Sequence, residues 1–459
     1  MSDTRLANFR NALVQQGLSA FYLRNESDIY WLCGFDDVFD GEGAFSLLVT
    51  PDQALLHTDS RYEIATRAAA QGSAFTVSTQ RASHERVALQ ALGVIKAAEE
   101  NGEETEETSR TTKASGEAAS ASETTATTEE PPRLGVESTL TLGEFHALEK
   151  AAAPQPTPAP ASQPAVPQPA PQPAPQPAPQ PVAPQPVAPQ PAAPQPAAPQ
   201  PAAPQSAAAP APAPQPALTF QETHNLCVNL RAVKDAGEIA RLKAAQAITD
   251  AAFDHIVHSM RPGMTERQVQ LELEHYMLCR GAAGLAFTSI VATGAHGASP
   301  HAVSNDTVLQ AGQCVVMDFG ARAQGYCSDM TRMVFLGQPS PTLRHAYSVL
   351  REANETVEAL LAPGITGAQA HEKAEEILAA GGFAKKMGHG LGHGVGIDIH
   401  EQPNLSPKNT NPLVAGNVVT VEPGIYIAGE FGMRLEDFGV ITDTGYQVFT
   451  QTSHEMVII

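Results

Sequence analysis

The chain has 459 residues, a formal net charge of −21 and a pI near 5.1. This acidic balance argues against nucleic-acid binding, which requires a basic surface. No apolar run reaches the roughly 18 residues that a membrane-spanning helix needs, so no membrane association is expected. The polar amino terminus lacks a signal-peptide core, which predicts a cytoplasmic protein.

The first 152 residues are predicted to form a small α/β domain. Apolar residues recur at helical spacing between positions 6 and 16, and RYEIATRAAA also predicts a helix. Later, RLGVES predicts a strand and LTLGEFHALEKAAA a helix. Four further stretches predict strands: SAFYLRN, DIYWLCGF, FSLLVTP and QALLHTD.

Two segments are too biased in composition to form a packed core. Residues 97–132 are acidic, rich in Thr, Ser and Ala, and free of aromatic residues, which predicts a disordered insertion. Residues 153–217 repeat PQPA and PQPAAPQ, a composition that favours extended polyproline II. We interpret this second segment as a linker to a catalytic domain that spans residues 218–459.

After the linker, the chain contains an internal repeat. A long amphipathic helix is predicted from about residue 232 to 260. Residues 261–281 then match residues 362–382, because each segment is a Pro-Gly-x-Thr turn followed by a helix that ends in Gly. Residues 309–320, LQAGQCVVMDFG, likewise match residues 413–424, LVAGNVVTVEPG. We predict an α+β fold in which two helix-plus-antiparallel-strand units are related by a pseudo-twofold axis.

Carboxylates occupy corresponding positions in the two repeats. Asp318 lies opposite Glu422 in the alignment, and Asp329 and Glu436 hold similar places in the next strand of each half. Four acids that meet at the axis with a histidine carry too much charge to bury without cations. An oxygen-rich set with one imidazole suits manganese, cobalt, iron or zinc. The alternative, that these acids are solvated strand ends, does not explain their pairing across the repeat.

Seven motifs together resemble the pita-bread metallopeptidases, most closely the aminopeptidase P and prolidase branch. The resemblance covers nearly all of the chain outside the two biased segments, and it includes a creatinase-like N-terminal domain. It therefore implies an α+β fold, in which a pita-bread catalytic domain follows that smaller α/β domain in the sequence. The motifs are TDSRY, SPHAV, VVMDFG, CSDMTR, GHGLGHGVGIDIHE, VEPGIYI and RLEDFGVI.

The resemblance also implies a role for each matching residue. Two divalent ions, most favourably Mn²⁺ with Co²⁺ or Zn²⁺ as alternatives, would activate a water molecule. Glu422 would also shuttle a proton, His301 and His400 would contact the scissile carbonyl, and His389 and Arg434 would line the substrate site. For His389, a plain turn residue is the alternative. The implied metal ligands are Asp318, Asp329, His393, Glu422 and Glu436.

The glycines around His393 have two possible explanations. A phosphate-binding loop would need a Lys and a helix start, and neither follows these glycines. We therefore predict that they let a strand and its turn pass close to substrate and metal.

The implied reaction is hydrolysis of the bond between an N-terminal residue and proline. An Xaa-Pro aminopeptidase is favoured over an Xaa-Pro dipeptidase, and the sequence does not show how far the cleft is open beyond the proline. The alternative from a different class is a non-catalytic module that binds peptides or proteins. The resemblance further implies a homodimer.

Overall fold

The computed structural model describes residues 2–36, 38–95, 132–153 and 218–459. The predicted acidic insertion and Pro/Gln-rich linker lie outside the described residues, except for positions 132 and 153. The remaining described residues belong to one compact unit. Within the described ranges, no helix is long and apolar enough to cross a membrane.

The amino-terminal part is a six-stranded mixed sheet with helices packed against it, in the strand order β4-β3-β2-β1-β5-β6. Strand β1 is antiparallel to β2 and parallel to β5. The elements are α1 (Ser2–Gln15), β1 (Ala20–Leu23), α2 (Glu26–Cys33), β2 (Ser46–Val49), β3 (Ala54–His57), α3 (Glu63–Ala70), β4 (Thr76–Ser78), α4 (His84–Ala91), β5 (Arg133–Glu137), α5 (Leu142–Ala152) and β6 (Thr219–Thr223).

The strand predicted for DIYWLCGF is wrong, because this stretch forms helix α2. Asn25 caps the helix by accepting a hydrogen bond from the Asp28 backbone N–H, and Gly34 ends it with a left-handed φ of 67°. Six of the eight residues between these caps are buried, and a continuous apolar run does not separate a buried helix from a strand. Asn25 and Gly34 were the features of the sequence that could have identified this stretch as a helix.

The predicted start of the catalytic domain at residue 218 also needs correction. Strand β6 follows the Pro/Gln-rich segment in sequence, but it pairs in parallel with β5 at the edge of the first sheet. Residues 219–223 therefore complete the amino-terminal sheet. Parallel pairing of strands distant in sequence leaves no local signal, which is why composition alone misplaced this boundary.

The carboxy-terminal part contains a four-stranded sheet, β20-β12-β9-β8, and a five-stranded sheet, β14-β13-β15-β18-β19. Smaller sheets are formed by β11-β10-β7 and by β16-β17. The elements are α6 (Leu226–Arg231), α7 (Ala236–Ser259), α8 (Glu266–Cys279), β7 (Gly284–Leu285), β8 (Ile290–Thr293), a 3-10 helix (Gly294–Ala298), β9 (Cys314–Phe319), β10 (Ala321–Ala323), β11 (Tyr326–Cys327), β12 (Met330–Phe335), α9 (Pro341–Leu360), α10 (Gly367–Ala380), β13 (Gly392–Gly394), β14 (Glu401–Leu405), β15 (Val418–Val421), β16 (Gly424–Ile427), β17 (Phe431–Arg434), β18 (Asp437–Ile441), β19 (Tyr446–Val448) and β20 (Val457–Ile458).

The predicted duplication is confirmed in the described structure. Helices α8 and α10 begin with equivalent capping boxes, in which Thr265 pairs with Gln268 and Thr366 with Gln369. Strands β9 and β12 form an antiparallel pair, and β15 and β18 form its counterpart in the second half. Each pair places one predicted acid at the end of its first strand and another at the start of its second.

Candidate metal centre

The four acids lie at equivalent ends of the two strand pairs. Asp318 is near the end of β9, and Glu422 directly follows β15. Asp329 directly precedes β12, and Glu436 directly precedes β18. An isolated antiparallel bridge between Thr331 and Glu436 joins the two halves at this point. The local strand geometry therefore brings all four carboxylates to one place between the two sheets.

The imidazole of His393 completes this group. Its Nδ1 lies 3.0 Å from the Gly394 carbonyl, which only accepts hydrogen bonds, so the proton lies on Nδ1 and Nε2 carries a free lone pair. The Nε2 atom is 3.5 Å from Asp329 Oδ2 and 3.5 Å from Glu422 Oε1. Potential ligand atoms of Asp329, His393 and Glu436 all lie within 4.8 Å of one another. Burial lowers the pKa of His393 to about 4, which keeps the ring in its neutral, ligating form.

Burial also controls the protonation of the acids. It raises the pKa of Glu422 to about 8 and raises that of Asp329 and Glu436, where repulsion from neighbouring carboxylates adds to the effect. Arg434 is the only Lys or Arg among the described residues that line this cavity, and it contacts Asp318 Oδ2. The other oxygen of Asp318 is buried and has no hydrogen-bond partner among the described residues. Burial and mutual repulsion thus disfavour ionisation of this group of carboxyls, and divalent cations between them and the free imidazole nitrogen would stabilise the ionised, ligating forms.

All predicted site residues line a single cavity of about 480 Å³. Its apolar walls include Phe287, Ile290 and Ile399. The rings of His393 and His400 lie 4.4 Å apart between centroids. The nine predicted residues are His301, Asp318, Asp329, His389, His393, His400, Glu422, Arg434 and Glu436.

Two supporting residues were missed in the sequence. The Tyr426 hydroxyl accepts a hydrogen bond from Arg434 Nη1 at 3.0 Å and lies 3.2 Å from His389 Nε2. Thr331 Oγ1 accepts from Arg434 Nε at 2.9 Å and donates to Glu436 Oε2 at 2.6 Å. Both lie inside motifs that were recognised, VEPGIYI and CSDMTR, so their proximity to predicted ligands was the available signal.

The hydrogen bond with Tyr426 also indicates the tautomer of His389. His389 Nδ1 lies 2.7 Å from the Gly390 carbonyl and donates to it, which leaves Nε2 to accept from the Tyr426 hydroxyl. Burial lowers the pKa of His389 to about 4, so the ring is neutral. The contacts of its side chain therefore hold His389 in the cavity wall.

The glycines beside His393 closely approach the backbone of neighbouring strands, whereas the prediction concerned substrate and metal. A Cβ atom on Gly392 would lie 2.1 Å from the Thr420 carbonyl oxygen, and one on Gly394 would lie 2.5 Å from that of Gln402. Strand β13 therefore passes between β14 and β15 at a distance that only glycine allows.

Replacing Gly392 with Ala should weaken metal binding at least about tenfold. This effect is comparable with the loss of a residue that hydrogen-bonds a metal ligand. The added methyl group would collide with Thr420, whose Oγ1 accepts a hydrogen bond from the His393 backbone N–H at 3.0 Å. Isothermal titration with Mn²⁺ would measure the change. Gly445→Ala is the matched control, because a Cβ there meets no atom within 4 Å. Unchanged affinity in Gly392→Ala would contradict this explanation.

A second group of two acids and a histidine has similar spacing but different surroundings. Potential ligand atoms of Glu358, Asp437 and His454 also lie within 4.8 Å of one another. However, Asp437 Oδ1 is 2.6 Å from Arg332 Nη2, and its Oδ2 is 2.6 Å from His454 Nε2. Protein cations already pair with Asp437, so this group is the weaker candidate for a metal.

Comparisons with known proteins agree with this geometry. Residues 5–166 match the Creatinase/Prolidase N-terminal domain, and residues 240–443 match Metallopeptidase family M24. An uncharacterized peptidase of Bacillus subtilis, YqhT, is 43% identical over 230 residues, which cover 50% of this chain and 65% of that protein. An Xaa-Pro dipeptidase of Pyrococcus horikoshii is 35% identical over 238 residues, which cover 52% of this chain and 68% of that protein.

Solved structures resemble the whole chain. An Xaa-Pro dipeptidase from Bacillus anthracis superposes with a TM-score of 0.73 and 27% identity, with coverage of 100% of both chains. An X-Pro aminopeptidase from Thermotoga maritima gives a TM-score of 0.69 and 26% identity, with coverage of 96% of this chain and 98% of that chain. The likeness thus extends from the amino-terminal sheet to the acid cluster.

Proposed function

The chain belongs to metallopeptidase family M24, and we propose that it hydrolyses the peptide bond between an N-terminal residue and proline. The observation that carries this proposal is the convergence of four acids and one neutral histidine on a cavity with apolar walls. An Xaa-Pro dipeptidase is the second candidate, because the Pyrococcus horikoshii relative and the Bacillus anthracis structure bear that name.

Two divalent metal ions belong to this proposal, with Mn²⁺ favoured and Co²⁺ or Zn²⁺ as alternatives. Five residues that line the cavity would hold the ions: Asp318, Asp329, His393, Glu422 and Glu436. Such ions lower the pKa of bound water and polarise a carbonyl group. The free Nε2 of His393 and the unpartnered oxygen of Asp318 support this assignment.

Glu422 is suited to move the proton. Its Oε1 faces His393 at 3.5 Å, and its Oε2 lies 3.9 Å from Arg434 Nε. It would accept a proton from the attacking water and deliver it to the proline nitrogen, which must be protonated to leave as a secondary amine. His301 and His400, which also line the cavity, would hydrogen-bond the scissile carbonyl.

The remaining walls suit a proline ring. An Xaa-Pro bond has no N–H on its proline side, so this part of the substrate needs apolar contact rather than a hydrogen-bond acceptor. Phe287, Ile290 and Ile399 supply apolar surface, and the neutral ring of His389 adds to it. Arg434, fixed by Thr331 and Tyr426, would hold its side of the cavity in place.

The deciding experiment compares hydrolysis of Ala-Pro and Ala-Pro-Ala with Mn²⁺ and then with EDTA. Cleavage of the tripeptide, stopped by EDTA, would establish the aminopeptidase. Cleavage of the dipeptide alone would establish the dipeptidase. A protein that holds two metal ions but cleaves neither substrate would refute the Xaa-Pro specificity. A protein that binds no metal and cleaves nothing would favour the non-catalytic binding module.

A homodimer also belongs to this proposal, and light scattering would show it as a mass twice the 48.3 kDa of the chain. A mass of one chain would contradict it. A cytoplasmic location also belongs to this proposal.

A further inference from the structure

The His400 loop, residues 395–400 between β13 and β14, is anchored by ion pairs that the proposed chemistry does not use. Arg231, at the end of α6, is 5% exposed. Its Nη1 lies 2.7 Å from Asp28 Oδ1, and its Nη2 lies 2.6 Å from Asp398 Oδ2. Nη2 also contacts Glu401 Oε1. One guanidinium thus joins carboxylates on both sides of His400 to helix α2 of the amino-terminal region.

Further contacts close this network. Lys234 Nζ lies 2.7 Å from Glu401 Oε2, and Ser27 Oγ donates to Asp398 Oδ1 at 2.7 Å. The Asp398 backbone N–H donates to Glu401 Oε1 at 3.0 Å. Burial alone would raise the pKa of Glu401, but Lys234 and Arg231 outweigh burial and lower it to about 2. Glu401 therefore stays ionised and paired at neutral pH.

His400 itself depends on this anchoring. Within the described residues its side chain makes no hydrogen bond, and its ring contact is with His393. Its neighbour Ile399 lines the same cavity, and the adjoining residues Asp398 and Glu401 are those held by Arg231. The His400 ring therefore depends on the course of its backbone and on its contact with His393, and the ion pairs of Asp398 and Glu401 hold that backbone.

We propose that Arg231 is a positioning residue for His400, which it holds in the cavity through Asp398 and Glu401. This inference rests on the proposed function for its catalytic consequence. Because Asp28 and Ser27 belong to α2, the same contacts make the geometry of the cavity depend on the amino-terminal region. A flat guanidinium is needed here, since a single ammonium group does not reach three carboxylates in the same arrangement.

A double-mutant cycle tests this coupling. Arg231→Lys keeps the charge and so avoids leaving buried carboxylates without a cation. We expect it to lower kcat for Ala-Pro-Ala about tenfold, less than the roughly 10²–10³-fold cost of removing an oxyanion donor altogether. In the His400→Ala background, the same substitution should change kcat by less than about twofold, because coupled residues are non-additive. Equal losses in both backgrounds would overturn the proposal.

Arg241→Lys is the matched control. It tests whether weakening any contact between the amino-terminal and carboxy-terminal regions lowers kcat. Arg241 also reaches the amino-terminal region, through Asp36 at 2.7 Å and the Tyr30 hydroxyl at 2.8 Å. In the described part of the chain, its hydrogen bonds and ion pairs involve no residue of the His400 loop. Its substitution should leave kcat unchanged. If Arg231→Lys does not fold, Ser27→Ala enters the same cycle, because it removes one bond to Asp398 and leaves every charge in place.

Hydrogen exchange provides a readout that needs no substrate. Arg231→Lys should speed exchange in the peptide 396–405, whereas Arg241→Lys should not. Unchanged exchange in this peptide would refute the anchoring. If the wild-type protein cleaves no Xaa-Pro substrate, the proposed function fails, but the exchange measurement still decides whether Arg231 holds the loop.

Discussion

Replacing Asp329 with Asn should remove bound metal and abolish hydrolysis. Asp329 is 3% exposed, and its Oδ2 lies 3.5 Å from the free nitrogen of His393. An ionised carboxylate offers a cation two oxygens that share a negative charge, whereas Asn offers one neutral oxygen and an NH2 group that does not bind cations. The loss of metal affinity should exceed the roughly 10–100-fold effect of removing a residue that only hydrogen-bonds a metal ligand. Elemental analysis after dialysis and kcat/KM for the substrate would measure both effects.

Glu358→Gln is the matched control for this substitution. Glu358 belongs to the group that also combines two acids with a histidine at similar spacing, but its partner Asp437 is already paired with Arg332 and His454. If the metal binds at the cavity, this control should keep wild-type metal content and activity. Loss of metal in Glu358→Gln, with retention in Asp329→Asn, would move the metal to the second group and contradict the proposed centre.

The internal repeat made the acid positions predictable from sequence. Matching Pro-Gly-x-Thr turns and apolar strands aligned Asp318 with Glu422, and the structure brings the two together at the ends of β9 and β15. Local periodicity suffices for this because each half builds its own antiparallel strand pair. The roles of the histidines came from the family resemblance, since spacing alone does not distinguish a ligand from a turn residue.

Contacts between distant segments were not predictable in the same way. Arg231 and Asp28 are 203 positions apart, and no periodic pattern links them. From the sequence, Arg231 is expected to be an exposed cation at the end of a helix. Only the packing of α2 against α6 shows that it is buried. The pairing of β5 with β6 across the Pro/Gln-rich segment was missed for the same reason.

Replacing Glu422 with Gln should have a different signature, in which turnover is lost but metal is largely retained. The amide oxygen of Gln keeps one neutral ligand atom, and Asp329 and Glu436 keep the ligand atoms that lie within 4.8 Å of those of His393. Gln does not accept a proton from water or deliver it to the proline nitrogen. General acid–base catalysis contributes about 10²–10⁴-fold, so kcat should fall by that factor.

The two substitutions together separate metal binding from proton transfer. Glu422→Gln should change KM little, because Glu422 is proposed to act on the water and the leaving nitrogen rather than on the apolar proline pocket. Its Thr420 contact, 3.3 Å from Oγ1 to Oε1, involves an oxygen that Gln retains, so the local backbone should stay in place. If Glu422→Gln lost as much metal as Asp329→Asn, Glu422 would be assigned only the role of a metal ligand. Near wild-type kcat with full metal content would assign the proton transfer to another group in the cavity.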